Sequence, residues 1–341
     1  MPYGSGKITD LRDTMLDNRH AVLQILADGR FHSGQTLGTT LGLSRAAVWK
    51  IVASLRNHWG LRIQAIRGRG YRLASPVPLL DPQRIRAGLN ATCRARLRDV
   101  TVRWSVDSTN RQLLQRAQQE DIHGHLLLAE QQTAGRGRLG RQWHSPPAAN
   151  LYFSLGWVFP PGTDLNGLSL AVAVALWRAL SALGVCGHGI KWPNDLWWQE
   201  RKLAGILIEM RSEGEGPWQV VIGVGLNVAM SRLVSVDIDQ PWIDLAGILG
   251  TVPDRNRVTA TLLEALLPAL EAHRQQGLAA CRDDWQAADL LQGRPVELQT
   301  GERRLRGIAR GIDAQGALLL ETGEGLLACH AGDVRLRPLD G

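Results

Sequence analysis

With 341 residues, 44% of them hydrophobic, the chain carries enough apolar material for two or three cored domains of about 100–200 residues each. It has no run of about 18 apolar residues, and its first residues, MPYGSGKITDLRDTMLD, lack the apolar stretch of a secretory signal; both argue against a membrane protein and for the cytoplasm. The formal charge of +7 is not spread evenly: residues 1–75 hold 11 Lys and Arg against 4 Asp, and between Gly29 and Leu80 eight basic residues occur with no acid, the imbalance expected where a module meets a polyanion.

The first predicted elements are three helices and a hairpin. Val22, Leu23, Ile25 and Leu26 give the first helix an apolar face, with Gly29 as its C-cap. Ser33 is placed to N-cap a second helix that ends near Leu41, and Gly42 supplies the turn. Ser44 caps a third helix, whose stripe Val48, Ile51, Val52 and Leu55 is predicted to be buried while Arg45, Lys50 and Arg56 face outward. The alternating LRIQAI, the turn RGRG and YRLA then predict a two-stranded ribbon with Arg67 and Arg69 at its tip. Helix, helix-turn-helix and basic ribbon together read as a winged helix-turn-helix DNA-binding domain over residues 1–75, against the alternative of a small helical interaction domain with a solvated basic face. ASPVPLLDP, from Ala74 to Pro82, predicts a short stiff linker.

The central stretch GRGRLGRQW holds three glycines and three arginines within seven residues. It satisfies G-x-G-x-x-G literally, yet Pro146 and Pro147 follow where a dinucleotide fingerprint needs a helix. An arginine-glycine arm is disfavoured because the motif is not repeated and lies between two predicted strands, HLLLAE and NLYFSLGWVF. What remains is a loop inside a folded domain whose amides and guanidiniums suit an anion, against the alternative of a solvated surface loop. Ser108, Thr109 and Asn110 follow a strand and are placed either to cap the next helix or to meet a ligand. Lys191, Asn194 and Asp195 fall at a strand end and turn, and Lys202 opens the next strand; these lysines are two of only four in the chain. Gly223 and Gly225 interrupt an apolar strand before Asn227, as where a backbone must come close to a ligand.

Beyond this, DRNRVTATLLEALLPALEAHRQQGLAACRDDW has helical periodicity with Pro268 as a kink. From Gly293, five short alternating runs separated by glycines predict a small antiparallel barrel. Cys93, Cys186, Cys281 and Cys329 lie far apart, so neither a disulfide framework nor a zinc site is predicted, and no histidine pair has metal-ligand spacing.

Taken together, FHSGQTLG, LSRAAV, DSTN, AGRGRLGRQW, NLYFSL, KWPND, RKLAGIL, IGVGLN and GIARGIDAQGALLLE resemble the bacterial biotin-protein ligases, and with the winged helix the bifunctional biotin operon repressor / biotin-[acetyl-CoA-carboxylase] ligase family. The resemblance covers nearly the whole chain. It implies an α+β multidomain fold: the winged helix at 1–75, a class II aminoacyl-tRNA synthetase-like catalytic domain with a central mixed sheet at 76–290, and an SH3-like barrel at 291–341. It implies biotin, ATP and Mg²⁺, with biotinyl-5'-AMP as intermediate and corepressor. Its partners would be the biotin carboxyl carrier protein of acetyl-CoA carboxylase, operator DNA of biotin-synthesis genes, and a second copy of the chain in a homodimer formed on adenylate binding.

Carried over by motif, Ser108, Thr109, Asn110 and Gln132 would line the biotin site with Gly205, Gly223 and Gly225. Arg136, Gly137 and Arg138 would span biotin and the adenylate phosphate, Lys202 would hold the adenylate near biotin's carboxylate, and Lys191 and Asp195 would complete the catalytic set. Arg141, Trp143, Asn227, Trp242 and Arg337 would contact the nucleotide. Ser33, Ser44, Arg45, Trp49, Lys50, Arg67 and Arg69 would face DNA. Leu139 departs from the family, which often has Arg there, and Trp49 is unexpected on a recognition helix. A lipoate or octanoate ligase of related fold and a biotin sensor without catalysis are the alternative readings.

Overall fold

Capping chemistry decides the first helices. The computed structural model describes residues 11–74, 76, 78–212, 214–233, 238, 240–300, 303–330 and 334–338. In it α1 runs Leu11–Leu26, α2 Gly34–Leu41 and α3 Arg45–Asn57. The Ser33 hydroxyl accepts from the Thr36 amide at 2.9 Å and the Ser44 hydroxyl from the Ala47 amide at 3.1 Å, satisfying donors that a helix start otherwise leaves unpaired. Gly42 takes the left-handed conformation, φ 67°, that ends α2. Val48, Ile51, Val52 and Leu55 are buried, and Arg45, Trp49 and Lys50 are exposed. The ribbon pairs β1 (Ile63–Ile66) with β2 (Gly70–Leu73), and a bridge from His32 to Tyr71 ties it to the helices. A side chain at Gly70 would sit 2.0 Å from the His32 carbonyl, so glycine is required there. Arg67 and Arg69 lie exposed in the turn, the Arg69 guanidinium 4.3 Å from the Phe31 ring centre.

The chain divides into two compact units, residues 1–79 with 230–237, and residues 80–229 with 238–341. The last residues of the expected linker belong to the second unit. The Leu80 amide donates to Glu130 at 2.6 Å, the Asp81 amide donates to Asn256 at 2.7 Å, and Asp81 caps α4 (Pro82–Ala87). Backbone donors satisfied in this way make an anchored segment rather than a free spacer.

In the second unit α4 is followed by α5 (Ala91–Arg96), β3 (Asp99–Val106), α6 (Thr109–Arg116), β4 (His125–Gln132), β5 (Leu151–Phe159), α7 (Leu168–Ala182), β6 (His188–Lys191), β7 (Asp195–Trp198), β8 (Arg201–Arg211) and β9 (Trp218–Leu226). These strands form one mixed sheet in the order β3-β4-β5-β9-β8-β7-β6, in which only β3 and β4 run parallel. After α8 (Met230–Leu233) in the first unit and α9 (Leu245–Leu249), α10 (Arg255–Gln276) runs unbroken through Pro268 and leads to α11 (Arg282–Ala288). α7 and α10 pack on each other and on strands β5 to β8. α7 alone buries ten side chains or backbones, including Leu170, Val172, Val174, Leu176 and Leu180, each large one contributing about 1.5–3 kcal/mol of burial. Among the described residues no helix is long and apolar enough to cross a membrane.

The C-terminal strands β10 (Pro295–Thr300), β11 (Arg303–Ile312), β12 (Leu318–Thr322), β13 (Gly325–Cys329) and β14 (Val334–Pro338) form a five-stranded antiparallel sheet ordered β13-β12-β11-β10-β14. Asp289, between α11 and β10, accepts from the Leu291 amide at 2.9 Å, while its second oxygen is buried with no hydrogen-bond partner among the described residues. Burial pushes this carboxyl up to about 6. A raised carboxyl leaves stability intact below its unfolded value and withdraws it as pH rises through the folded one. Asp289→Asn, which keeps the amide acceptor, is therefore expected to stabilise the chain by about 1–2 kcal/mol at pH 8 and by almost nothing at pH 4. Denaturant unfolding at the two pH values checks this; an equal gain at both would refute the burial assignment.

Candidate functional site

Strand register brings the separated motifs into line. Lys191 on β6 pairs with Asp195 on β7, Asp195 with Gly205 on β8, Gly205 with Gly225 on β9, and Gly225 with Tyr152 on β5. Residues directly opposite one another share a face, so KWPND, KLAGIL and IGVGLN contribute to a single row across the sheet. One step along the strands lies a second row, Leu207, Gly223 and Ser154.

The glycines in these rows are there because other side chains of this chain occupy the space. A Cβ at Gly223 would sit 2.1 Å from Asn110 Oδ1, and one at Gly225 would sit 2.4 Å from the Trp143 ring. Trp143 lies over Gly225 and Gly205, and its indole nitrogen is buried with no hydrogen-bond partner among the described residues.

Ser108, Thr109 and Asn110 are all buried at the start of α6. The capping role open to Ser108 is not taken up, since its side chain makes no cap bond. The polar groups instead turn into a network. Gln132 Oε1 accepts from the Thr109 amide at 2.8 Å and its Nε2 donates to Ser145 at 3.0 Å. Ser154 Oγ lies 2.7 Å from Thr109 Oγ1 and 2.6 Å from Asn110 Oδ1. Asn110 Nδ2 donates to the Leu207 carbonyl at 3.1 Å and to Glu209 at 2.9 Å, and Arg136 donates to both Glu209 oxygens at 3.1 Å. Burial works to raise the Asp107 carboxyl just ahead of α6, but hydrogen bonds from Gln112 and the Ser108 amide, with Arg111 alongside, hold it below the usual range.

The glycine-arginine stretch is a closed turn. The Gly137 amide donates to the Arg141 carbonyl at 2.7 Å, and a 3-10 turn covers Arg138–Gly140. Leu139 there has φ 57°, a left-handed conformation that leucine adopts at a cost, and its side chain is exposed. Arg141 is exposed on the same turn. Arg138 donates to Asn194 at 3.3 Å, and Asn194 is locked by donating from Nδ2 to the Ile206 carbonyl at 2.6 Å.

Lys202 Nζ lies 2.8 Å from Asp195 in a largely buried pair and 5.3 Å from the Trp143 ring centre. Lys191 Nζ lies 3.8 Å from the Trp197 ring centre. Asn227 donates to the Lys202 carbonyl at 3.3 Å and the Ile243 carbonyl at 3.0 Å, so it clamps the segment bearing Trp242 to the start of β8. Trp242 itself bridges to Lys202 through the backbone. Arg337 stands opposite Glu297 in the β14–β10 register, and its side chain lies outside the described residues.

The structure thus gathers Ser108, Thr109, Asn110, Gln132, Arg136, Trp143, Gly223 and Gly225 around one small cavity of about 30 Å³. Arg138, Asp195, Lys202 and Gly205 adjoin Trp143 or its neighbours in the rows. Asn194, expected at the turn of KWPND, joins this network, and so do Glu209, Ser154 and Ser145, which the sequence alone does not single out. The one available signal for Glu209 was period two along β8, which places it on the face of Gly205 and Leu207.

Residues 103–227 match the biotin/lipoate A/B protein ligase family, residues 292–337 the biotin protein ligase C-terminal domain, and residues 18–72 a helix-turn-helix domain. Along 317 residues, 93% of this chain and 96% of the relative, the sequence is 42% identical to the bifunctional ligase/repressor BirA of Escherichia coli. The chain belongs to the biotin/lipoate A/B protein ligase family. Within that family its similarity extends over the helix-turn-helix as well as the ligase domains. The bifunctional ligase/repressor BirA of Bacillus subtilis is 32% identical over 91% of this chain and 95% of its own. Among solved ligases, the biotin protein ligase from Aquifex aeolicus in complex with biotin and ATP superposes with a TM-score of 0.62 at 28% identity, over 71% of this chain and all of that one.

Proposed function

We propose that this chain ligates biotin to a lysine of the biotin carboxyl carrier protein through biotinyl-5'-AMP, and represses biotin-synthesis genes when that adenylate is bound. One observation carries the reading. The chain is similar to bifunctional ligase/repressors along nearly their whole length, so a DNA-binding module and a ligase module are joined as they are in those relatives.

The residues around Gln132 and Asn110 would take the bicyclic end of biotin, offering amide and hydroxyl groups already fixed by Ser154 and Glu209. Because their cavity is about 30 Å³, the loop bearing Arg136 and Trp143 would swing open for biotin to enter and close behind it, excluding water. Biotin's carboxylate oxygen then attacks the α-phosphorus of ATP, the bond to the β-phosphate breaks and pyrophosphate leaves. Lys202, Lys191 and Arg138 would offset the negative charge that builds there. In the second step the acceptor lysine amine attacks the acyl carbon and AMP departs, with Asp195 orienting the amine.

Among the described residues no cluster of three or more His, Cys, Asp or Glu is set to hold a metal. Mg²⁺ would be held by the nucleotide phosphates, with the Asp195 carboxylate as its protein oxygen ligand, and there it would neutralise phosphate charge. We further assign the mixed sheet to the class II synthetase-like fold and the C-terminal strands to an SH3-like domain that brings Arg337 toward nucleotide. Adenylate binding would order the loops, create the homodimer and match two operator half-sites. The exposed Arg45, Lys50, Arg67 and Arg69 would meet DNA, while the Ser33 and Ser44 hydroxyls serve as caps that aim α2 and α3.

The test is pyrophosphate release by the full chain with biotin and MgATP, followed by intact mass of a biotin carrier domain and of a lipoyl domain. Release that requires biotin, with modification of the biotin carrier alone, is expected. Faster modification of the lipoyl domain, or no release, would overturn the ligase assignment. Gly223→Ala is expected to displace Asn110 from its bonds to Ser154 and Glu209 and to weaken biotin binding by about tenfold or more, given about 1–3 kcal/mol for overpacking. Titration calorimetry with biotin measures this, and unchanged affinity would place biotin elsewhere.

A further inference from the structure

Of the large apolar side chains exposed among the described residues, Trp49 is the most exposed, at 60%. It is held in the open by the geometry of α3. With Val48, Ile51, Val52 and Leu55 turned inward, Trp49 falls on the outward arc, and the residues three before and four after it on that arc are Ala46 and Ala53. Both side chains end at Cβ, so the indole stands above its own surroundings. Exposed Arg45 and Lys50 flank it, within a stretch from Gly29 to Leu80 that contains no acid.

The cations on this arc suit phosphate, and an apolar plate among them suits something else. In the major groove every base edge offers polar donors or acceptors, and the one apolar feature is the C5 methyl group of thymine. Recognition helices approach base edges with their N-terminal residues, and Trp49 is in the second turn of a helix that Ser44 caps. We propose that Trp49 is a specificity-determining residue that packs its indole on a thymine methyl in each operator half-site, an inference that rests on the DNA-binding reading above. Arg45 and Lys50 supply affinity along the backbone; Trp49 supplies preference for the methylated base.

The experiment starts from duplexes enriched from a random-sequence pool by the full-length chain with biotin and MgATP. Each thymine is then replaced in turn by uracil, which removes only the methyl group, and binding is followed by fluorescence anisotropy. One thymine per half-site is expected to cost the wild-type chain about fourfold on replacement, the ratio that one buried methylene-sized group supplies. Trp49→Ala is expected to bind more weakly and to give equal affinities for the thymine and uracil duplexes. Arg45→Ala is expected to bind more weakly yet keep the thymine-to-uracil ratio. Thermal unfolding confirms that the exposed substitutions leave the fold in place.

A wild-type chain indifferent to every thymine-to-uracil replacement overturns the inference while leaving DNA binding intact. So does a Trp49→Ala variant that retains the ratio, or one that alters only self-association, which would assign Trp49 to a protein contact. Failure to enrich any duplex overturns the DNA-binding reading itself, and this inference with it.

Discussion

Lys202→Gln is expected to slow biotin-dependent pyrophosphate release by roughly 100- to 1,000-fold, the loss typical when one preorganised group facing developing charge is removed. Its position is over-determined. The backbone amide of Lys202 donates to the Pro241 carbonyl at 3.0 Å, its carbonyl accepts from the Ile243 amide at 3.0 Å, and Nζ is held 2.8 Å from Asp195. A charge fixed this way needs no reorganisation when the α-phosphorus is attacked. The side chain passes over Gly205, where a Cβ would lie 3.3 Å from its Cε, and a planar guanidinium cannot present its charge as the compact ammonium held against Asp195 does. Lys202→Arg should therefore recover little activity. Single-turnover pyrophosphate release measures both variants, and a Gln variant within about threefold of wild type would remove Lys202 from the chemistry.

Arg255→Met is expected to destabilise the chain by about 3–5 kcal/mol, because it strands a buried carboxylate. Arg255 is fully buried and lies 2.7 Å from Glu130, itself 3% exposed. The pair is knitted into the backbone, Arg255 donating to the Asn150 carbonyl at 3.1 Å and Glu130 accepting from the Leu80 amide at 2.6 Å. Breaking one side leaves charge and backbone groups unpaired together. Adding Glu130→Gln to the Met variant removes the stranded charge and keeps an acceptor for Leu80, so the double variant should recover part of the loss. Thermal unfolding separates these outcomes. A single variant as stable as wild type would mean that the pair contributes nothing beyond packing.

The parts of this molecule that were legible in sequence are those whose determinants are local. Ser33, Gly42 and Ser44 mark helix ends by chemistry acting within three or four residues, and Val48 to Leu55 mark a buried stripe by period alone. The glycines separating the C-terminal runs likewise marked its strands, though not how that sheet curves. The row of Lys191, Asp195, Gly205 and Gly225 depends on register among four strands, which no single motif contains. For the same reason Glu209 and Ser154 are not legible in sequence: each looks like an ordinary strand position until Asn110 of α6 reaches it. Gly223 and Gly225 suggest in sequence a backbone that a ligand approaches, whereas the groups that occupy the space over them are Asn110 and Trp143 of the chain itself.

In the proposed function one chain both makes the adenylate and responds to it on DNA. The most direct measurement is fluorescence anisotropy of the DNA upstream of the organism's own biotin-synthesis genes, titrated with the full chain alone, with biotin, with MgATP, and with both. Tightening only when both ligands are present is predicted, since neither alone yields biotinyl-5'-AMP. Binding that is the same under all four conditions would contradict a ligand-controlled repressor.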